Sequence, residues 1–153
     1  MTTAQLQPKA QRILRRALQK CAQAKRWYPG QPAALQAELA LVSSVKMRRL
    51  NQEFRKKDYA TDVLSFPSPL PLKKLGHLGE LVICMPVLKR QAKEQGHQPE
   101  TELAVLIVHG LLHLLGLDHE EGPAALKTQA RWEAKILAAL KIKAEAGLIS
   151  RSK

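Results

Sequence analysis

The 153-residue chain is poor in cysteine, in aromatic residues and in acidic residues. Its two cysteines, Cys21 and Cys84, stand far apart and match no metal-finger spacing, which disfavours both a disulfide scaffold and a cysteine-rich zinc module. Aromatic residues make up 4% of the chain, so stacking on nucleobases is confined to a few sites such as Tyr59, Phe66 and Trp132. Long apolar runs are missing too. The longest, Leu103 to Leu117, is interrupted by His109, Gly110 and His113 and falls short of the roughly 20 residues that a membrane span needs. The N-terminal stretch has no apolar core and no small-residue cleavage site, so no export signal and no membrane partner are expected, and the cytoplasm is the expected compartment. Asp and Glu number 13 against 25 Lys and Arg, a net charge of +12. An excess of that size calls for an acidic partner, nucleic acid first.

Apolar residues reach 45%, enough for one compact core, and no repeat or linker divides the chain; a single domain over 1–153 is expected. Lys9 to Trp27 reads as a basic amphipathic helix with Ile13, Ala17, Leu18 and Cys21 on one face. Leu35 to Leu41 alternates like a half-buried strand. Ser43 or Ser44 can cap a short helix whose apolar stripe is Met47, Leu50 and Phe54. Val63 to Phe66 and Leu81 to Met85 read as strands. Ser68 to Gly76, with two more prolines, reads as a mobile loop. Helices are expected from Pro86 to Gly96, from Pro99 to Gly116, and from Pro123 to about Ile142, with the tail after Ala146 frayed. The sum is an α+β fold, a small mixed sheet of about four strands packed with helices. The helix that is apolar nearly all round belongs at its centre.

Three of the five histidines fall within residues 109–119. His109 and His113 stand four apart, so on a helix they differ by roughly 40° around the axis and roughly 6 Å along it. Gly116 lets the chain turn, and His119 can return as a third ligand. Three imidazoles leave a coordination position open, the pattern of a catalytic zinc. Imidazole suits nickel, copper or iron as well. The spacing equals that of the H-E-x-x-H-x-x-G-x-x-H proteases, but Gly110 stands where those enzymes carry their general-base Glu. A peptidase is therefore disfavoured. Phosphodiester cleavage fits better, because a cation and an arginine can stabilise the charge that builds on phosphorus.

Three blocks carry a family likeness: Leu50-Asn51-Gln52-Glu53-Phe54-Arg55 with Asp58 and Thr61-Asp62-Val63-Leu64-Ser65-Phe66-Pro67; Leu78-Gly79-Glu80-Leu81-Val82-Ile83-Cys84; and His109-Gly110-x-x-His113-x-x-Gly116-x-Asp118-His119. Together they resemble the YbeY-type bacterial rRNA maturation factors, zinc-dependent endoribonucleases. Leu117 stands where that family usually has an aromatic, Glu80 where it often has Asp, and Ala60 in place of a common proline. Glu133 before Ile136-Leu137 fits the family's last helix.

The resemblance implies a single-strand-specific metallo-endoribonuclease acting in 16S rRNA 3′-end maturation and ribosome quality control. Its partners would be single-stranded RNA, the small ribosomal subunit and ribosome-associated proteins. His109, His113 and His119 are then the zinc ligands; the ion makes hydroxide available from its bound water, and that hydroxide either attacks phosphorus or deprotonates a ribose 2′-OH. Arg55 is the expected phosphate grip, since a guanidinium binds two phosphate oxygens at once; with His109 it forms the expected catalytic pair. Asp118 and Glu102 are expected to support the ligating rings, although Glu102 could instead favour a helix N-terminus and Asp118 a turn. RNA contact is expected from Lys46, Arg48, Arg49, Arg55, Lys56, Lys57, Lys73 and Lys74. His77 and His97 read as loop or surface residues. A rival reading is a ribosome-assembly RNA-binding factor whose metal is structural.

Overall fold

Helix formation begins almost at the first residue. Thr2 caps α1 (Thr3–Ala24), its hydroxyl accepting from the Gln5 N–H while the Gln5 side chain accepts from the Thr2 N–H, a reciprocal pair that satisfies two orphan donors. The helix therefore starts well before Lys9, and Pro8 sits inside it without ending it. Its stripe of Leu6, Ala10, Leu14, Ala17, Leu18 and Cys21 is buried. The computed structural model describes residues 1–143, and the expectation for the tail after Ala146 lies outside them.

The remaining elements are β1 (Gln36–Val42), α2 (Ser44–Arg55), β2 (Val63–Pro67), α3 (Leu70–Lys74), β3 (His77–Cys84), α4 (Met85–Gln95), α5 (Pro99–Leu114), a single 3₁₀ turn at His119–Glu121, and α6 (Pro123–Ala139). The fold is α+β, as the alternation and helical periods predict. Among the described residues the sheet has three strands, in the order β1-β3-β2, rather than about four. Ahead of β1 the chain forms α1 and then residues 25–35, which carry no strand. The central strand β3 runs parallel to β1 (Leu39 opposite Leu81) and antiparallel to β2 (Ser65 opposite Leu81). The stretch Ser68 to Gly76 is not a loop throughout. Pro69 and Lys74 bracket the short helix α3, because a proline fits the first turn of a helix as readily as a loop.

Alternation along β3 divides the core. Leu81 and Ile83 face α1, α5 and α6 in the main cluster; Val82 and Cys84 face a smaller one with Met47, Leu64 and Val87 from α2, β2 and α4. Cys21 and Cys84 are free and buried, and burial pushes the Cys21 thiol up to about 12. Helix α5 occupies the centre, buried from Leu103 to Val108 and again at Leu111, Leu112 and Leu114. Among the described residues no helix is long and apolar enough to cross a membrane.

Candidate functional site

Helix α5 delivers His109 and His113 to one side, as their spacing requires. Gly116 then adopts φ 105°, and the Leu117 N–H returns to the Leu112 carbonyl at 3.0 Å, so the chain reverses and brings His119 back. Asp118 caps the following turn, accepting from the Glu120 N–H at 3.0 Å. The His109 and His119 ring centroids lie 5.2 Å apart. A cleft of about 410 Å³ holds all three histidines together with Phe54, Arg55, Val63, Leu64, Ser65, Phe66, Asp118 and Glu120.

The far side of His109 is fixed by α6. Its Nδ1–H donates to Glu133 Oε2 at 2.7 Å, and Gln129 Nε2 lies 3.5 Å from the His109 carbonyl; both side chains are buried. A proton held on Nδ1 leaves Nε2 as the ring's lone-pair atom. This carboxylate stands where Glu102 was expected. Glu102 is fully buried near the start of α5 and accepts instead from His97 Nε2 at 2.7 Å. A buried carboxylate there needs a hydrogen-bond donor, and His97 supplies it, so His97 is a paired residue and not a free loop histidine.

Arg55 closes α2 at the cleft's rim, its Nη2 3.3 Å from Glu120 Oε1. The helix end is set by Lys56, whose left-handed backbone directs its N–H to the Asn51 and Gln52 carbonyls, and by buried Asn51, whose Nδ2 donates to the Tyr59 carbonyl at 2.8 Å. Asp62 ties the same loop to α4 through Gln91 and caps the Val63 N–H. Of the other expected RNA contacts, Lys46, Arg48, Arg49, Lys56, Lys57, Lys73 and Lys74 do not line the cleft. Arg48 is held by Asp58 through bonds of 2.7 and 3.0 Å. Trp132 packs edge-on to Trp27 under Lys25, away from the cleft. Phe66 does line it, and so does Phe54, the last residue of the apolar stripe of α2.

The donor chemistry fits a transition-metal ion. Burial holds the His113 imidazole below its ordinary pKa, against the pull of Asp118 and with the repulsion of His109 and His119; the neutral ring is the one that can donate a lone pair. His119 Nδ1 is buried without a hydrogen-bond partner among the described residues, an orphan that a cation would satisfy. As the side chains stand, no three His, Cys, Asp or Glu groups among the described residues surround a common point, so closing on an ion requires side-chain rotation within the cleft.

Gly110 faces the sheet. A Cβ there would lie 2.6 Å from Leu81 Cδ2 and 3.3 Å from Ser65 Oγ, with Leu81 fully buried. Overpacking of this kind costs about 1–3 kcal/mol, more than the ~1 kcal/mol that alanine gains over glycine in helix propensity. Gly110→Ala is therefore expected to lower the thermal midpoint. An unchanged or higher midpoint in a melting curve would show that Leu81 yields.

The scaffold and cleft define an α+β protein with a histidine-lined, arginine-rimmed pocket on a strongly basic chain. The model of the family described as Endoribonuclease YbeY matches residues 1–141, and the chain belongs to that family. It is 44% identical over 110 residues to Endoribonuclease YbeY of Psychrobacter cryohalolentis, covering 69% of this chain and 71% of the relative. It is 48% identical over 104 residues to the protein of that name from Pseudomonas entomophila, covering 67% and 66%. A solution structure from Thermotoga maritima aligns at TM-score 0.49 and 25% identity, covering 90% of this chain and 83% of that one. The matched stretches thus span about two thirds of the length of these two curated relatives.

Proposed function

We propose that this chain is a metal-dependent endoribonuclease that hydrolyses phosphodiester bonds of single-stranded RNA, acting in the cytoplasm on 16S rRNA 3′ ends and in ribosome quality control. The observation that carries the reading is the convergence of His109, His113, His119 and Arg55 on one cleft, in a chain of the endoribonuclease family. His109, His113 and His119 would hold the ion, zinc first and nickel next. A bound zinc ion supplies a Lewis acid and makes water acidic near neutral pH. Glu133 keeps the His109 proton on Nδ1 and so leaves Nε2 as the lone-pair nitrogen. Arg55 receives the scissile phosphate by leaving Glu120. Gly110 offers no carboxylate for peptide hydrolysis, and a side chain there would press on Leu81.

Incubation of zinc-loaded and chelated protein with single- and double-stranded RNA tests this. Cleavage of the single strand alone, lost on chelation while the far-ultraviolet spectrum persists, is the expected result. Unfolding on chelation with no cleavage at any stage would point to a structural metal in a binding factor. Binding should also weaken steeply between low and physiological salt, since phosphate contacts release counterions. An affinity indifferent to ionic strength would contradict the electrostatic part of the reading.

A further inference from the structure

Phe54 breaks the pattern of its own helix. Met47, Leu50 and Phe54 form the apolar stripe of α2, and Met47 is fully buried. Phe54, at the end of the same stripe, is 58% exposed. Its ring lies edge-to-face with Phe66 at 5.0 Å and an interplanar angle of 74°, and both rings line the histidine cleft. Phe66 is partly buried and packs against the smaller core cluster, so it anchors the pair from beneath. The next residue is Arg55, at the cleft's rim. An exposed aromatic face beside a guanidinium and a candidate cation site matches one repeating unit of a polynucleotide, a flat base attached to a phosphate.

We propose that Phe54 is a nucleobase-stacking residue, taking one base of the bound strand on its exposed face while Arg55 takes an adjacent phosphate; this rests on the ribonuclease reading above. Stacking on a ring accepts any base, because every base has a π-face. A paired base keeps both faces inside its duplex and cannot use the ring. Phe54 thus contributes to the choice of single strands by shape, with no base-edge hydrogen bonds. The α2 end is rigid enough for this, since the left-handed Lys56 cap and the Asn51 bond to Tyr59 fix the last turn.

The test compares wild type, Phe54→Leu and Phe54→Trp on a single-stranded RNA oligonucleotide. Leucine keeps apolar bulk without a π-face, and tryptophan keeps the face. Phe54→Leu should raise KM about tenfold with kcat falling less than about twofold, while Phe54→Trp stays close to wild type. A single abasic site walked along the strand should raise the wild-type KM at one position and leave the leucine variant indifferent there. A 2-aminopurine at that position should change fluorescence on rapid mixing with metal-loaded wild type, before any cleavage, and not with Phe54→Leu. Equal KM and equal fluorescence responses for wild type and Phe54→Leu would overturn the proposal. Should wild type leave the strand intact while the position-specific fluorescence change persists, the nuclease reading falls and the stacking site stands.

Discussion

Arg55→Glu should reduce RNA cleavage by at least about 100-fold, the order seen when a preorganised charge partner of a reacting group is removed, while zinc stoichiometry stays at one ion per chain. The physical basis is the placement of Arg55. It lines the cleft with the three histidines but its guanidinium contacts Glu120, 3.3 Å away, and none of the rings. Reversing its charge sets two carboxylates side by side at the proposed phosphate position. Neither carboxylate belongs to the proposed ligand set, and added negative charge does not repel a cation. Cleavage and metal content should therefore separate. They are read by end-labelled RNA on a denaturing gel and by metal analysis of the dialysed protein. Loss of both together would mean that Arg55 holds the fold of the cleft, and retained cleavage would remove it from the site.

On the proposed metal site, Glu133→Gln should weaken zinc binding by about 10- to 100-fold, the usual effect of losing the partner behind a ligating histidine. Glu133 is buried and receives the His109 Nδ1–H at 2.7 Å. A carboxylate makes the ring more basic and fixes its tautomer; an amide of the same shape keeps the volume but loses the charge and can present its NH₂ to Nδ1 instead. Competition against a chelator of known affinity measures the effect directly, and a melting curve of the metal-free protein separates it from a change in stability. An unchanged zinc affinity would leave Glu133 as a packing residue only.

What the sequence made legible follows helical and strand periods. His109 and His113 were recognisable because four residues return a side chain to the same helix face, and His119 because Gly116 marks where the chain turns. Arg55 followed from its motif. Glu133 is different in kind. It reaches His109 from α6, and nothing in local spacing says which face of α6 meets α5; the one hint was the family-like run of Glu133 before Ile136-Leu137. Glu102 was the nearer carboxylate in sequence and proved to serve His97. Phe54 continues the spacing of the Met47 stripe, and only the packing shows that stripe running out into solvent. Pro8 hid the start of α1, and the prolines of Ser68 to Gly76 hid α3, since a residue without an N–H reads as a breaker wherever its helical position is unknown.

The contact between Gly110 and Leu81 has a consequence for descent. Motifs that differ by one letter invite the idea that one chemistry could be reached from the other by a lone mutation. Here the letter in question points inward, so a newcomer carboxylate would meet hydrocarbon instead of solvent. Crossing from this scaffold to peptide hydrolysis would press a longer side chain against Leu81, so the new residue and its neighbour would have to adjust together. The barrier between the two trades is thus steric before it is catalytic.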